Sequence, residues 1–223
     1  MMGFFDTLQS TTRTEREQLF TAPIFSKTLS GAATLDDYIA FLSQAYHHVK
    51  HTVPLLMATG SRLPEKQEWL RTAVAEYIEE EIGHQEWILN DIAVCGYDKE
   101  TIRTSQPARA TELMIAYAYD RIQRGNPIGF FGMVHVLEGT SISTADNVAS
   151  SLKQSLSLPE SAFSYLRSHG ALDQQHVKFF AELMDQVIDP DDQAQIIHCA
   201  RMFYYLYGEI FRSLEARYES VRE

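Results

Sequence analysis

The chain lacks the residues and segments that define several common classes of protein. It has only two cysteines, Cys95 and Cys199, and no Cys-x-x-Cys pair, so the sequence supports neither a zinc ribbon nor a redox dithiol. No uncharged apolar run reaches 18 residues, which argues against a membrane span. Lys and Arg are scattered in a chain of net charge -11, so we expect neither nucleic acid nor a membrane surface as a partner. The first residues also lack the basic and long apolar regions of a secretory signal, so we expect a cytoplasmic protein.

What the sequence does contain is helical periodicity over nearly all of its 223 residues. Hydrophobic residues make up 45% of the chain, enough for a sizeable core, and no strand-like alternation of useful length interrupts the pattern. We therefore predict an all-α fold, a single seven-helix bundle that forms one domain over residues 1–223. The predicted helices cover about residues 5–20, 35–59, 65–94, 107–124 and 127–156, then Ser157 to about 187, and from after Asp192 to about 217.

Three local signals set predicted helix boundaries. Thr34 is a candidate N-cap, with Asp36 and Asp37 in the following turn. Pro54 is expected to kink the second helix, because proline removes a backbone hydrogen bond. The segment from Ser157 to Glu160 matches a capping box with a proline in the first turn.

The most informative segment of the chain runs from His169 to His176. It places His169, Asp173 and His176 at offsets of four and seven residues. Since each helical residue advances about 100°, these three side chains share one face of a helix. Two imidazoles and a carboxylate in a stripe are typical of half a metal site, although a solvated helix face would show similar spacing.

Two other helices carry residues that complete such a site. Glu81 and His84 form a Glu-x-x-His unit, the arrangement that di-iron carboxylate bundles use. Glu80 is an alternative to Glu81, since the whole run from Glu79 to Glu81 is acidic. Glu138 lies in an otherwise apolar run, where a carboxylate is costly to bury without a partner. Three histidines and three carboxylates together suit iron or manganese better than a thiolate-type zinc site.

The order of these motifs resembles one family closely. A Glu-x-x-His followed by Trp87, then the pair Glu138-Gly139 in an apolar helix, then His-x3-Asp-x2-His is similar to the heme-oxygenase-like di-iron oxidases. These belong to the superfamily of heme oxygenases and TenA-like thiamin-salvage proteins. The motifs look most like those of the branch of fatty-acid decarboxylases that make terminal alkenes. The resemblance covers roughly residues 30 to 218.

The resemblance implies a function as well as a fold. It implies a non-heme di-iron oxidase in which two Fe²⁺ ions activate O2 as co-substrate. The metal ligands and catalytic residues would be Glu81, His84, Glu138, His169, Asp173 and His176. Four positive charges on the irons against three carboxylates leave one positive charge, which would attract an anionic group. We therefore expect a small carboxylate-bearing substrate that is hydroxylated, desaturated or cleaved at a C–C bond, and a homodimeric protein.

This chain lacks functional residues that three related branches of the superfamily use, which argues against their activities. The branch that makes p-aminobenzoate places a tyrosine before the bridging glutamate, where this chain has Leu137. TenA-like thiamin-salvage proteins use a cysteine on that helix, and this chain has none between residues 96 and 198. Heme oxygenases use a histidine on the first helix, whereas the first histidine here is His47. A non-catalytic metal-binding protein, or a TenA-like salvage or regulatory protein, stays as the alternative.

The remaining histidines are open to more than one interpretation. His47 and His51 are four residues apart and share a helix face with each other, and His48 lies between them. They could form a zinc pair or line a pocket, although a role in the core or behind the metal ligands is favoured because no carboxylate lies nearby in the sequence. His135, one turn before Glu138, could support that carboxylate or simply be a core histidine.

Overall fold

The computed structural model describes residues 3–214, with the backbone alone described for residues 169–176. Within residues 3–214 the secondary structure is entirely helical, so the all-α prediction is confirmed. The α-helices, in chain order, are α1 (Phe4–Thr11), α2 (Arg13–Leu19), α3 (Pro23–Leu29), α4 (Leu35–Val49), α5 (Thr52–Arg62), α6 (Glu68–Glu81), α7 (His84–Val94), α8 (Lys99–Thr104), α9 (Arg109–Arg124), α10 (Phe130–Leu156), α11 (Ser164–Met184) and α12 (Pro190–Ser213). Short 3-10 helices cover Glu65–Gln67, Pro127–Gly129 and Glu160–Phe163.

The described helices outnumber the seven predicted because several long predicted helices are broken. The helix predicted over residues 35–59 is α4 and α5, which separate at Lys50 and His51 rather than at Pro54. Pro54 lies in the first turn of α5, where its missing N–H has no intrahelical partner to lose. The kink predicted at Pro54 is therefore wrong: the helix breaks about one turn earlier.

Of the two predicted helix N-caps, the structure confirms one and contradicts the other. Thr34 caps α4 as predicted: its Oγ1 accepts the Asp37 N–H at 3.2 Å, and its own N–H donates to Asp37 Oδ2 at 2.7 Å. The capping box predicted at Ser157 is wrong. Ser157 ends α10 in the left-handed region, with φ 54°, and the 3-10 helix that follows Pro159 has no side-chain cap.

Two hydrophobic clusters form the interior, and α10 runs through both. The first cluster takes the first part of α10, up to Val136, together with buried residues of α6 and α12. The second takes the later part of α10, from Ala145, and packs it against α4 and α7. Cys95 and Cys199 are buried and free, as expected. The single-domain organisation stays a prediction.

Among residues 3–214, no helix has the length and apolar character needed to span a bilayer.

Candidate metal centre

The predicted motifs all fall where the two hydrophobic clusters meet. On α10, Glu138 lies between Val136 of the first cluster and Ala145 of the second. The Glu81–His84 unit lies between Tyr77 of the first cluster and Ile88 of the second. Residues 169–176 of α11 lie between Leu166 and Phe180, which belong to opposite clusters. The junction of the two cores is therefore the place where the chain concentrates its candidate ligands.

Glu81 and His84 are neighbours in space, but not on one continuous helix. Helix α6 ends at Glu81, Gly83 adopts φ 94°, and α7 begins at His84. Glycine occupies this backbone region without the steric cost that other residues meet. Across the break, His84 Nδ1 lies 3.0 Å from Glu81 Oε2. The predicted proximity is present, although the predicted helical geometry is wrong here.

Both members of this pair are shielded from solvent. The His84 side chain is 3% exposed and that of Glu81 is 14% exposed. The imidazole of His84 stacks on the indole of Trp87, with ring centroids 4.0 Å apart. Glu79 and Glu80 are exposed, so Glu81 is the member of this acidic run that faces inward. Of the two alternatives left open by the sequence, it is therefore Glu81 rather than Glu80 whose side chain is shielded and lies against His84.

Glu138 shares a cavity with Glu81. This cavity, of about 90 Å³, is bounded by both carboxylates, and by His48, Tyr77 and Tyr207. The buried Tyr77 hydroxyl interacts electrostatically with the Glu138 carboxylate. Burial, and then the negative charge of Glu138, raise the pKa of Tyr77 well above its usual range, so its hydroxyl keeps its proton. Glu138 is thus a carboxylate with a neutral hydroxyl in the same cavity.

A second cavity adjoins the first. It has a volume of about 70 Å³ and is mainly apolar, with Phe41, Leu152 and Phe211 among its walls. Ser141, Tyr165 and Tyr207 line both cavities. The carboxylate-lined space therefore adjoins an apolar one.

The side chains of His169, Asp173 and His176 lie outside the described residues, but their backbone is part of α11. Helix α11 packs against both α10 and α7. On one side of the undescribed segment, Tyr165 lines the cavity that holds Glu81 and Glu138. On the other side, the ring centroid of Phe179 lies 5.6 Å from that of Tyr77, which lines the same cavity as Glu138. The intervening turns of α11 therefore pass the described carboxylates.

The described side chains fit part of an iron site by their chemistry. Two carboxylates that line one cavity, and a buried imidazole that contacts one of them, are donors that suit iron. Among the side chains that the structure describes, no group of three His, Cys, Asp or Glu is close enough to hold a metal. A complete site would need donors from α11 in addition to Glu81, His84 and Glu138.

The three histidines near the end of α4 do different things. His47 Nε2 lies 2.9 Å from Ser105 Oγ, and its Nδ1 lies 3.2 Å from Lys50 Nζ. His51 Nδ1 lies 3.1 Å from Tyr119 Oη. His48 lines the cavity that holds Glu81 and Glu138. Separate partners for His47 and His51 argue against a zinc pair, whereas His48 fits the pocket-lining interpretation.

His135 is a core histidine. Its Nε2 lies 3.4 Å from Thr12 Oγ1 and 3.5 Å from Tyr204 Oη, and its ring stacks on Phe180. Burial lowers its pKa to about 4, so the ring is neutral at physiological pH. Of the two interpretations of this residue, the structure favours a buried histidine with hydroxyl neighbours.

Two residues near the site were missed from the sequence. Tyr77 lies four residues before Glu81, which puts both on one face of α6. Asp91 is fully buried on α7, and its position among the apolar residues Ile88, Leu89 and Ile92 was the available signal.

The chain is similar to several solved structures. A heme-oxygenase-like domain of unknown function from Shewanella denitrificans has a TM-score of 0.88 and 24% identity, over 98% of this chain and 95% of that one. A TenA homologue from Pseudomonas syringae has a TM-score of 0.78 and 10% identity, over 96% and 93%. Heme oxygenase-1 from Synechocystis, solved with heme, has a TM-score of 0.75 and 10% identity, over 98% and 95%. These similarities show that the fold is heme-oxygenase-like.

Comparison with curated proteins finds no significant match. The model of a family described as iron-containing redox enzymes matches residues 39–208, which is well over half of the chain. The matched range includes Glu81, His84 and Glu138, as well as the stripe from His169 to His176. The chain therefore belongs to this family of iron-containing redox enzymes.

Proposed function

We propose that this protein is a non-heme di-iron oxidase that uses O2 to oxidise a small carboxylate-bearing substrate. The observation that carries the proposal is the shielded pair of Glu81 and His84, whose carboxylate lines the same cavity as Glu138 at the junction of the two cores. Membership of the iron-containing redox family supplies the metal type. Zinc would accept the same ligands but has no redox chemistry.

The proposed ligands are Glu81, His84, Glu138, His169, Asp173 and His176. Ferrous iron, when bound by these residues, would supply the electrons that reduce O2. Each protein side chain has a simpler role. The imidazoles and carboxylates would hold the ions, and the Tyr77 hydroxyl, which interacts with Glu138, would support that carboxylate from behind. Such partners behind the ligands commonly raise metal affinity by 10- to 100-fold.

The cavities favour a substrate with one anionic and one apolar part. Three carboxylates balance only three of the four charges on two Fe²⁺ ions, so an anionic group is attracted to the centre. Next to the centre, Phe41, Leu152 and Phe211 form an apolar wall that excludes water. We infer that the carboxylate lies toward Glu81 and Glu138, and that the C–H or C–C bond to be oxidised belongs to the apolar part.

Oxygen consumption tests this proposal directly. The protein is loaded with Fe²⁺ without oxygen, its iron content is measured, and it is mixed rapidly with O2 in the presence of aliphatic, aromatic or amino-acid carboxylates. We expect about two irons per chain, O2 uptake that depends on iron, and faster uptake with one substrate class. Glu81→Gln should lose iron and uptake, whereas the exposed Glu79→Gln should keep both.

Two results would contradict the proposal. If the fully iron-loaded protein consumed no O2 with any substrate class, the alternative of a non-catalytic metal-binding or TenA-like protein would stand. If the Glu81→Gln variant kept wild-type iron content, the site would be wrongly placed. The homodimeric state and the cytoplasmic location remain predictions.

A further inference from the structure

We propose that Asp91 is a positioning residue that fixes the start of α11, and with it the stripe of metal ligands, against the helix that carries His84. The inference rests on the proposed function. Asp91 is fully buried near the end of α7, seven residues after His84. Since seven residues of α-helix return to nearly the same direction, α7 presents His84 and Asp91 on one side, about 10 Å apart along its axis.

The Asp91 carboxylate receives all its described hydrogen bonds from the beginning of α11. Asp91 Oδ1 accepts the Ser164 N–H at 3.0 Å and also the Ser164 hydroxyl. Asp91 Oδ2 accepts the Tyr165 N–H at 2.9 Å. The first N–H groups of a helix have no intrahelical partner and form the positive end of its dipole, so a carboxylate there both satisfies and attracts them. Asp91, on α7, therefore caps the N-terminus of α11. The sequence predicts a local cap at Ser157, which instead ends α10.

From this anchor, α11 runs back toward the candidate ligands. Tyr165, whose N–H is held by Asp91, lines the cavity of Glu81 and Glu138. Further along, Val177 lines a cavity on the side of Glu138 that faces α1. The segment from residue 169 to residue 176 lies between these two points. A shift at Ser164 would therefore displace every donor of the stripe relative to His84.

The hydrogen bonds to Asp91 also fix the position of Tyr165, which lines both adjoining cavities. The turn before Tyr165 is held by a second bond, from the Tyr38 hydroxyl to the Ala162 carbonyl at 2.8 Å. Asp91 thus ties the position of the ligand helix to the shape of the space beside the metal centre.

The test is the isosteric substitution Asp91→Asn, which keeps the volume but replaces one oxygen acceptor with an NH2 group facing a backbone N–H. The matched control is Asp192→Asn. Asp192 is also buried and bridges two segments, accepting from Gln67 Nε2 at 2.7 Å and Asn126 Nδ2 at 2.6 Å. It lines neither of the two adjoining cavities. Both variants should unfold at lower temperature than the wild type.

Two measurements separate positioning from general stability. In metal-free protein, amide exchange over residues 166–184 should speed up in Asp91→Asn and stay unchanged in Asp192→Asn. In titrations with Fe²⁺, Asp91→Asn should bind its weaker iron on the order of tenfold less tightly, and Asp192→Asn should match the wild type.

The outcomes distinguish this inference from the proposed function. Unchanged exchange of α11 in Asp91→Asn would overturn the anchoring role. Faster exchange with wild-type iron affinity would overturn the link to the metal centre. If the wild type itself bound no iron, the proposed function would fail, while the exchange measurement would still decide whether Asp91 anchors α11.

Discussion

Two regions of this molecule bury histidines, and they differ in what the imidazoles meet. At the core junction, His84 contacts the carboxylate of Glu81, beside a cavity that Glu138 also lines. Near the end of α4 and on α10, which we call the hydroxyl region, two other buried rings lie beside hydroxyls: Ser105 for His47, whose Nδ1 also faces Lys50, and Thr12 and Tyr204 for His135. Hydroxyls satisfy a neutral ring without adding charge, whereas carboxylates can balance a cation. This contrast is the reason we place the proposed metal centre at the junction.

The largest expected effect comes from removing the imidazole in each region. His84→Ala should abolish tight binding of at least one Fe²⁺, because it removes a buried proposed ligand next to Glu81. His47→Ala should keep wild-type iron content, although it loses the contact with Ser105. Iron per chain, measured after gel filtration of anaerobically loaded protein, checks both. Equal loss of iron in the two variants would show that the junction does not differ from the hydroxyl region in metal binding.

The second effect is a pH dependence that belongs to the hydroxyl region. The pKa of His135 is lowered by burial to about 4 from an ordinary 6.5, so below pH 6.5 the unfolded chain takes up the proton first. Folding stability should therefore fall as pH drops from 6.5 toward 4. The expected loss between about pH 7.5 and about pH 5 is about 2 kcal/mol, at 1.36 kcal/mol per pKa unit.

Urea unfolding of metal-free protein at the two pH values measures this loss. His135→Gln removes the titrating ring, so its loss of stability over the same interval should be smaller by about the same 2 kcal/mol. An undiminished loss in the variant would show that other groups carry the pH dependence.

The helices could be predicted from the sequence more accurately than the positions at which they start and end. Thr34 capped α4 as predicted because its partner, Asp37, is three residues away in the chain. The start of α11 was predicted wrongly because its cap is Asp91, which is distant in sequence and close only in the fold. Local signals are readable from a sequence, whereas caps supplied by another helix are not.

In the candidate site, too, local spacing could be predicted from the sequence, whereas features that depend on the fold could not. The spacing of Glu81 and His84 correctly placed them close together, yet the break at Gly83 was not foreseen. An isolated glycine is tolerated inside a helix pattern, so the positive φ of Gly83 could not be predicted from the residues around it. Tyr77 was missed for a related reason, since a tyrosine on a buried helix face is more often only core.

The third expected effect compares two tyrosine hydroxyls. Tyr77→Phe removes the hydroxyl that interacts with Glu138 and should weaken iron binding on the order of tenfold, with little change in packing volume. Tyr119→Phe removes the hydroxyl that lies 3.1 Å from His51 Nδ1 and should leave iron affinity unchanged. Competition with a chelator that reports free Fe²⁺ measures both affinities. If Tyr119→Phe weakened iron binding as much as Tyr77→Phe, the hydroxyl region would also belong to the metal centre.

The smallest effect concerns the helix break itself. Gly83 has φ 94° and Gly96 has φ 87°, and among the described residues no atom lies within 4 Å of a Cβ added at either position. Alanine at each should therefore cost about 1 kcal/mol of folding stability through backbone strain alone. Only Gly83→Ala should also weaken iron binding, because this glycine sets the angle at which His84 meets Glu81. Urea unfolding and the same chelator competition test this, and an equal fall in iron affinity in Gly96→Ala would show that lost stability, rather than the geometry of the break, controls the metal centre.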